Sequence, residues 1–282
     1  MGTERSLSVL IFTDLDGCLL DHDGYSYAAS AVTLEALRNN VPIIINSSKT
    51  FSEIEQLVVE LGLNTPFIFE NGSAIAFPQN WNPSLPASTY PYKNWMILSL
   101  ARPRELLLHR LNQLASGYRF QGFAELSLAS LMELTGLTEA AALQAKQRLF
   151  TEPLYWQDSE SHLAAIAREL EPDGLRIIRG GRFVHVMDSV DKAIAMRTLQ
   201  IMLEQNNGAT YQTVALGDSD NDRRMLASAD YACVVRKSDG TYLDLGSHSK
   251  TLRSDSAGSA GWNECITALI QQGVINSGDY HG

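Results

Sequence analysis

The sequence predicts an α/β fold in which a doubly wound parallel-sheet core is interrupted by an inserted α+β domain. Two observations predict the core and a third predicts the insertion. Short apolar runs alternate with stretches of helical spacing near the start of the chain, the same alternation returns from Lys192 onward, and the part between follows a different pattern.

Taken in order, Leu7–Thr13 is a continuous apolar run, as a strand covered on both faces requires. Ala28–Asn39 has helical spacing, with Val32, Leu34, Ala36 and Leu37 as its apolar positions. Val41–Asn46 reads as a second buried strand, Thr50–Leu61 as a second helix and Pro66–Glu70 as a third, short strand. Pro78–Pro91 carries four prolines and reads as a linker. Beyond it come a strand over Trp95–Leu100 and helices over Pro103–Leu114, Leu126–Glu133 and Glu139–Phe150. Two strands near Leu175–Ile178 and Arg182–Met187, joined by Gly180-Gly181, read as a hairpin. Residues 86–188 are therefore expected to form the inserted domain, and residues 1–85 with 189–282 the core. The core then resumes with a helix over Lys192–Gln205, a strand over Gln212–Leu216, a short helix over Asp222–Ser228 and a strand over Tyr231–Val235. A Gly/Ser-rich stretch, Ser254–Gly261, leads to a last helix over Trp262–Gln271.

Composition narrows the function. The 282 residues, 45% hydrophobic and 19% charged, are ordinary for a globular enzyme of one large or two modest domains. A formal charge of −10 argues against nucleic acid and against anionic lipid as partners. An anionic substrate must then be captured by a local cluster of cations. Cys18, Cys233 and Cys265 are scattered without disulfide or metal-ligand spacing, so they read as reduced thiols of a cytoplasmic protein. The early apolar run is too short to span a membrane. A monomer or homodimer is expected.

Asp14 and Asp16 stand where the first buried strand ends, in Thr13-Asp14-Leu15-Asp16-Gly17. Residues i and i+2 share a face, so both carboxylates can point into the crevice beyond the strand's C-terminal end. Two close carboxylates repel unless a cation such as Mg²⁺ lies between them, although acids before a glycine also make ordinary turns. A second acidic run, Gly217-Asp218-Ser219-Asp220-Asn221-Asp222, follows the strand Gln212–Leu216. Alone it is a solvated turn with Asp222 capping the next helix; with the first run it completes a shared cation site at the sheet's edge. Asn46-Ser47-Ser48-Lys49-Thr50 follows the second strand. Small hydroxyls and free N–H groups at such a turn suit a phosphoryl oxygen, and suit simple helix capping equally. Lys192 gains meaning only beside these groups.

In chain order, Asp14 and Asp16, Ser47, Lys192, and Asp218 with Asp222 resemble the four motifs of the haloacid dehalogenase superfamily. An insertion after the third strand is similar to its type IIB cap. Glu70-Asn71-Gly72, the run Lys146–Asp158, Gly180-Gly181-Arg182-Phe183-Val184-His185 with Asp191-Lys192, and Gly261-Trp262-Asn263-Glu264 further resemble the mannosyl-3-phosphoglycerate phosphatase family. Many relatives carry Thr-Gly-Arg where this chain has Ser47-Ser48-Lys49, and the serine form agrees with that narrower group.

The resemblance implies a Mg²⁺-dependent phosphatase acting on a phosphorylated sugar acid, mannosyl-3-phosphoglycerate. Asp14 is implied as the nucleophile that forms an aspartyl-phosphate, and Asp16 as acid and then base. Ser47 and Lys192 are implied as phosphoryl ligands. Asp14, Asp218 and Asp16, the last through its backbone oxygen, are implied as metal ligands, with Asp222 beside them. Ser48, Lys49, Glu70, Asn71, Gly180, Gly181, Arg182 and Phe183 are implied to bind substrate. Arg182 can grip a carboxylate with two parallel bonds, or be an exposed strand charge. His185 is equally readable as a packed core histidine. Glucosyl-3-phosphoglycerate or sucrose phosphate as substrate, a phosphomutase, and a phospho-accepting signalling domain remain open alternatives; the last is much shorter and has no cap.

Overall fold

In the computed structural model, which describes residues 8–81, 85–179 and 182–276, those residues run through twenty-two α-helices and β-strands. The first part comprises β1 (Ser8–Thr13), α1 (Ala31–Leu37), β2 (Ile43–Ile45), α2 (Phe51–Glu60), β3 (Phe67–Phe69), β4 (Ala74–Pro78), β5 (Tyr90–Tyr92) and β6 (Trp95–Ser99). There follow α3 (Arg104–Leu114), β7 (Phe120–Gly122), α4 (Leu128–Thr135), α5 (Glu139–Lys146), β8 (Glu152–Trp156), α6 (Glu160–Leu170), β9 (Leu175–Arg179) and β10 (Val184–Asp188). The last part comprises α7 (Lys192–Asn207), β11 (Tyr211–Gly217), α8 (Arg223–Ser228), β12 (Tyr231–Arg236), β13 (Thr251–Ala257) and α9 (Gly258–Gln271).

The main sheet is parallel, in the order β13-β12-β11-β1-β2. Neighbours flank β1 on both sides, and Val9–Thr13 are buried. Alternation along the strand sends Val9 and Ile11 to one face, where they meet Ile54 of α2 and Ile266 and Leu269 of α9. Leu10 and Phe12 face the other side, against Leu199 and Leu203 of α7 and Met225 of α8. Helices thus cover both faces, which is the doubly wound arrangement expected. In α1 only Thr33, Leu34 and Leu37 are buried, while Val32 is 77% exposed, so the apolar face is narrower than the sequence spacing suggests. Thr50 caps α2 through its hydroxyl and receives Glu53 in return.

A second sheet, antiparallel, has the order β3-β4-β6-β5. This corrects the expected linker, the end of which carries β5. Trp95–Ser99 pairs with Ala74–Pro78, so residues 90–99 extend a sheet begun by the core instead of joining the inserted sheet. Pro78 closes β4, and Pro91 sits in an edge strand, where its missing N–H costs little.

The third sheet, β7-β8-β10-β9, is antiparallel and has its own core of Leu107, Leu111, Leu154, Ile166 and Val186. The hairpin expected near Gly180 is present as β9 pairing with β10, Arg179 opposite Val184. Gly180 and Gly181 themselves lie outside the described residues. Near the end, the Gly/Ser-rich stretch is divided between strand β13 and the first turn of α9, which follows it directly. Strand β13 is an edge strand, which tolerates the polar Ser254, Asp255 and Ser256 that hid it.

Candidate active site

Four loops converge at the C-terminal edge of the main sheet because parallel strands end on the same side. Asp14 follows β1, and its amide donates to Leu216 O at 3.0 Å. The Asn46 amide donates to Thr13 O at 2.8 Å and the Ser47 amide to Ile68 O at 3.1 Å, locking the loop after β2 between β1 and β3. Trp262, fully buried, donates from Nε1 to Thr13 Oγ1 at 3.1 Å, and that hydroxyl donates to Asp14 O at 2.7 Å. The backbone that carries Asp14 is therefore held on both sides.

Lys192 opens α7 and is wholly buried. Asn46 Nδ2 donates to Lys192 O at 3.0 Å and fixes its backbone. Its Nζ stands 2.7 Å from Asp14 Oδ1 and 2.6 Å from Asp222 Oδ1. Asp222 Oδ2 accepts from the amides of Asp218 at 3.2 Å and Ser219 at 3.1 Å. Both of its oxygens are thus committed, one to the lysine and one to the loop that carries Asp218. Gly217 is required here, because a Cβ would lie 2.6 Å from Asp222 Cβ. Gly72 is required across the site: its φ is +89° and a Cβ would meet Asp191 O at 2.2 Å.

Asp14, Asp218 and Asp222 each bring a carboxylate oxygen within 4.8 Å of the others. Burial first, then the Asp222 charge, raises the Asp14 carboxyl to about 7 and the Asp218 carboxyl to about 6, and in both the Lys192 ammonium only partly offsets this. Burial alone would lower the basicity of Lys192, but Asp14 and Asp222 outweigh it, so it stays charged. One ammonium does not balance three clustered acids. Such a donor set fits a hard divalent cation, whose charge would relieve the remaining repulsion.

Asp16 lines the same cavity but stands apart from that cluster: its Oδ2 lies 2.9 Å from Lys49 Nζ, and its Oδ1 is shielded without a partner. Lys49 also lies 3.8 Å from Glu53 Oε1, so it positions Asp16. Ser48 lines the cavity, while Ser47 is buried behind it with its Oγ accepting from the Lys49 amide at 3.3 Å. Asn71 enters with a left-handed φ of 59° and accepts from Asn221 Nδ2 at 2.9 Å. The cavity has a volume of about 510 Å³.

Glu70 is corrected. It is fully buried, and its carboxylate accepts from the amides of Leu149, Phe150 and Thr151 and from Thr151 Oγ1, at 2.7 to 3.1 Å. Those four donors fill its acceptor sites, so it ties the insertion to the core and has nothing left for substrate. Phe183, half-buried, packs edge-on against Phe123 at 5.0 Å, beside Leu126 and Leu131, and does not line the cavity. Arg182 is exposed and is not among the described residues lining the cavity; from this strand pair Ile178, Arg179 and His185 are.

A sequence profile of haloacid dehalogenase-like hydrolases matches residues 11–88 and 150–247. A glucosyl-3-phosphoglycerate/mannosyl-3-phosphoglycerate phosphatase of Persephonella marina is 32% identical over 94% of this chain and 98% of its own. The chain belongs to the haloacid dehalogenase-like hydrolases. It is a phosphatase. A protein of the same name from Methanococcoides burtonii is 33% identical over 93% of this chain and 97% of its own. Among solved structures, a Thermoplasma acidophilum protein superposes with a TM-score of 0.65 at 18% identity, covering 94% of this chain and 99% of that one. The sucrose-phosphatase of Synechocystis, solved with sucrose and phosphate, gives 0.58 at 16%, covering 94% and 98%. These two likenesses establish the fold.

The raised carboxyls of this haloacid dehalogenase-like hydrolase make its stability depend on pH. A carboxyl raised in the folded state binds more protons there than in the unfolded chain, so its stabilising contribution is present at low pH and lost as pH rises through the folded value. The metal-free hydrolase should therefore lose thermal stability between about pH 4 and about pH 7 through Asp14 and Asp218. Mg²⁺ should raise Tm more at about pH 8 than at about pH 5.5, where protons compete for the same oxygens. Scanning calorimetry with Mg²⁺ or chelator checks this; equal increments at both pH values contradict it.

The sequence reading missed Asn221, Arg179 and Lys237 as cavity residues. Asn221 stands inside a recognised acidic run and was available to it. Arg179 and Lys237 carry no local signal, because only the relative placement of distant strands brings them here. No helix among the described residues is long and apolar enough to cross a membrane.

Proposed function

We propose that this phosphatase is a Mg²⁺-dependent enzyme that removes phosphate from mannosyl-3-phosphoglycerate or glucosyl-3-phosphoglycerate through an aspartyl-phosphate on Asp14. The observation that carries the reading is the buried Asp14 carboxylate at a strand end, 2.7 Å from Lys192 Nζ, with Asp16 in the same cavity. The relatives of Persephonella marina and Methanococcoides burtonii, both glucosyl-3-phosphoglycerate/mannosyl-3-phosphoglycerate phosphatases by name, suggest the substrate class.

Asp14 attacks phosphorus while Asp16, held by Lys49, gives its proton to the departing glycerate oxygen. Asp16 then takes a proton from the water that attacks the acyl phosphate, and Asp14 returns as a carboxylate. Lys192 orients Asp14 and faces the phosphoryl oxygens as charge shifts onto them. Ser47 and Ser48 supply hydroxyl and backbone donors from the loop after β2. When bound by Asp14, Asp218 and the backbone oxygen of Asp16, Mg²⁺ supplies the positive charge that lets an anionic nucleophile approach an anionic ester. Asp222 sets the positions of Lys192 and of the Asp218 loop.

Residues from about Ala101 to Asp188 act as the cap. Its links to the core include the Glu70 clasp, Thr50 Oγ1 donating to Gln144 O at 3.1 Å, and Ser52 Oγ donating to Gln147 Oε1 at 2.6 Å. Closure excludes water other than the nucleophile.

Phosphate release from a panel tests the reading: both glycosyl-3-phosphoglycerates, sucrose phosphate, 3-phosphoglycerate and p-nitrophenyl phosphate, each with Mg²⁺ or chelator. Mg²⁺-dependent release with kcat/KM highest on a glycosyl-3-phosphoglycerate is expected. A preference for sucrose phosphate, or an isomerised product with no free phosphate, contradicts it.

A further inference from the structure

Alternation along β10 sends Val184 and Val186 into the cap's apolar core and turns His185 to the opposite face, over the catalytic cavity. Ile178, its partner on β9, lines the cavity beside it, and Pro153 is its partner on β8. The cap's described side chains at the cavity are therefore Ile178, which is apolar, Arg179, which is paired with Glu160, and His185. Of these, His185 carries a polar atom that neither water nor protein satisfies: its Nδ1 is shielded from solvent and has no hydrogen-bond partner. A buried polar nitrogen left unpaired is costly, and in a pocket wall it marks where a ligand atom belongs.

The state of the ring narrows that ligand. Burial, then the nearby Arg148 cation, pushes the imidazolium down to about 3, so the ring is neutral. Arg148 is fixed where it is, donating from Nη1 to Thr151 Oγ1 at 2.7 Å and reaching Ser48 O at 3.4 Å. A neutral imidazole offers one N–H donor and one bare acceptor nitrogen. A hydroxyl, which also donates and accepts, satisfies either tautomer; a phosphate or carboxylate, which only accepts, is met by one tautomer alone and gains no charge pairing from the neutral ring. The same neutrality removes His185 from acid–base work.

We propose that His185 is a specificity-determining residue that reads a hydroxyl of the sugar part of the substrate. The inference rests on the phosphatase reading above and adds the group by which the cap recognises the leaving portion. It requires no proton transfer and no metal contact.

The test compares His185→Leu and His185→Asn with wild type at saturating Mg²⁺, on a glycosyl-3-phosphoglycerate and on p-nitrophenyl phosphate, which carries no hydroxyl. His185→Leu should raise KM for the glycosyl ester about tenfold or more. Its kcat/KM on p-nitrophenyl phosphate should stay within about twofold of wild type. His185→Asn, which keeps a donor and an acceptor near the Nδ1 position, should recover most of the lost affinity. The pH profile of kcat should be the same in all three proteins. Parallel losses on both substrates, no change on either, or a lost limb in the pH profile would each overturn the inference. Failure of the substrate reading looks different: wild type would hydrolyse p-nitrophenyl phosphate and no glycosyl-3-phosphoglycerate. The same comparison is then made on the sugar phosphate of the panel that turns over fastest, and the same outcomes decide it.

Discussion

Asp14→Asn should lower phosphate release by about 10⁴-fold or more, on every substrate alike, while the protein remains folded. The size of the effect follows from the role, since no other carboxylate can replace Asp14. Asp222 has both oxygens committed, to Lys192 and to the amides of Asp218 and Ser219. Asp16 is drawn aside by Lys49. The survival of the fold follows from the electrostatics. Asn matches Asp in shape, and it removes a charge that burial, Asp222 and Asp218 all disfavour. Lys192 keeps its partner Asp222, so no buried ammonium is left alone. Metal-free Tm should therefore be unchanged or higher than wild type, and the Mg²⁺-induced increment should shrink. Initial rates of phosphate release and calorimetry check both halves. A variant that keeps more than a few per cent of activity would remove Asp14 from the nucleophile's role.

Lys192→Met should cost both rate and stability. Lys192 is the only buried cation between Asp14 and Asp222 among the described residues, at 2.7 and 2.6 Å. Methionine fills most of its length without charge, leaving two buried carboxylates facing each other with no counter-ion. Breaking a buried ion pair in this way costs about 3–5 kcal/mol. The rate should fall about 10³-fold, because the phosphoryl group loses its fixed cation as charge moves in the transition state. Added Mg²⁺ should restore part of the stability, by screening the acids, and little of the rate. Urea unfolding in the presence and absence of Mg²⁺, beside steady-state kinetics, separates the two effects. Wild-type stability and wild-type rate in this variant would contradict the site as described.

How much of this was legible in the sequence depended on range. The strands β1 and β2 carry apolar runs, and β11 a shorter one over Val214–Leu216, because helices bury both their faces, and such runs can be read without knowing the fold. Asp14, Asp16, Asp218 and Asp222 were legible because their position just past those strands is itself local. The cap of α2 at Thr50 was legible for the same reason. What failed was whatever a distant partner decides. Glu70 sits beside Asn71 in sequence and resembles a site residue, yet its carboxylate is claimed by the amides of residues 149–151. Strand β8 contains Pro153 and the buried Glu152, a poor pattern for a strand until Arg104 is placed against that carboxylate. Lys49 was expected to bind substrate, and its Nζ is paired with Asp16 across the cavity, a contact that no local signal announces. His185, left open between site and core in the sequence, is put over the cavity by its place on β10, which only the pairing of β8, β9 and β10 fixes.

The central claim is that Asp14 becomes phosphorylated during turnover. Quenching the enzyme with borohydride during hydrolysis of a glycosyl-3-phosphoglycerate, followed by peptide mass spectrometry, tests it most directly. Reduction of an acyl phosphate converts that aspartate to homoserine. The account predicts homoserine at position 14, dependent on substrate, and none at positions 16, 218 or 222. Labelling at any of those three, or an unmodified Asp14 in enzyme quenched while a phosphoenzyme is present, would contradict it.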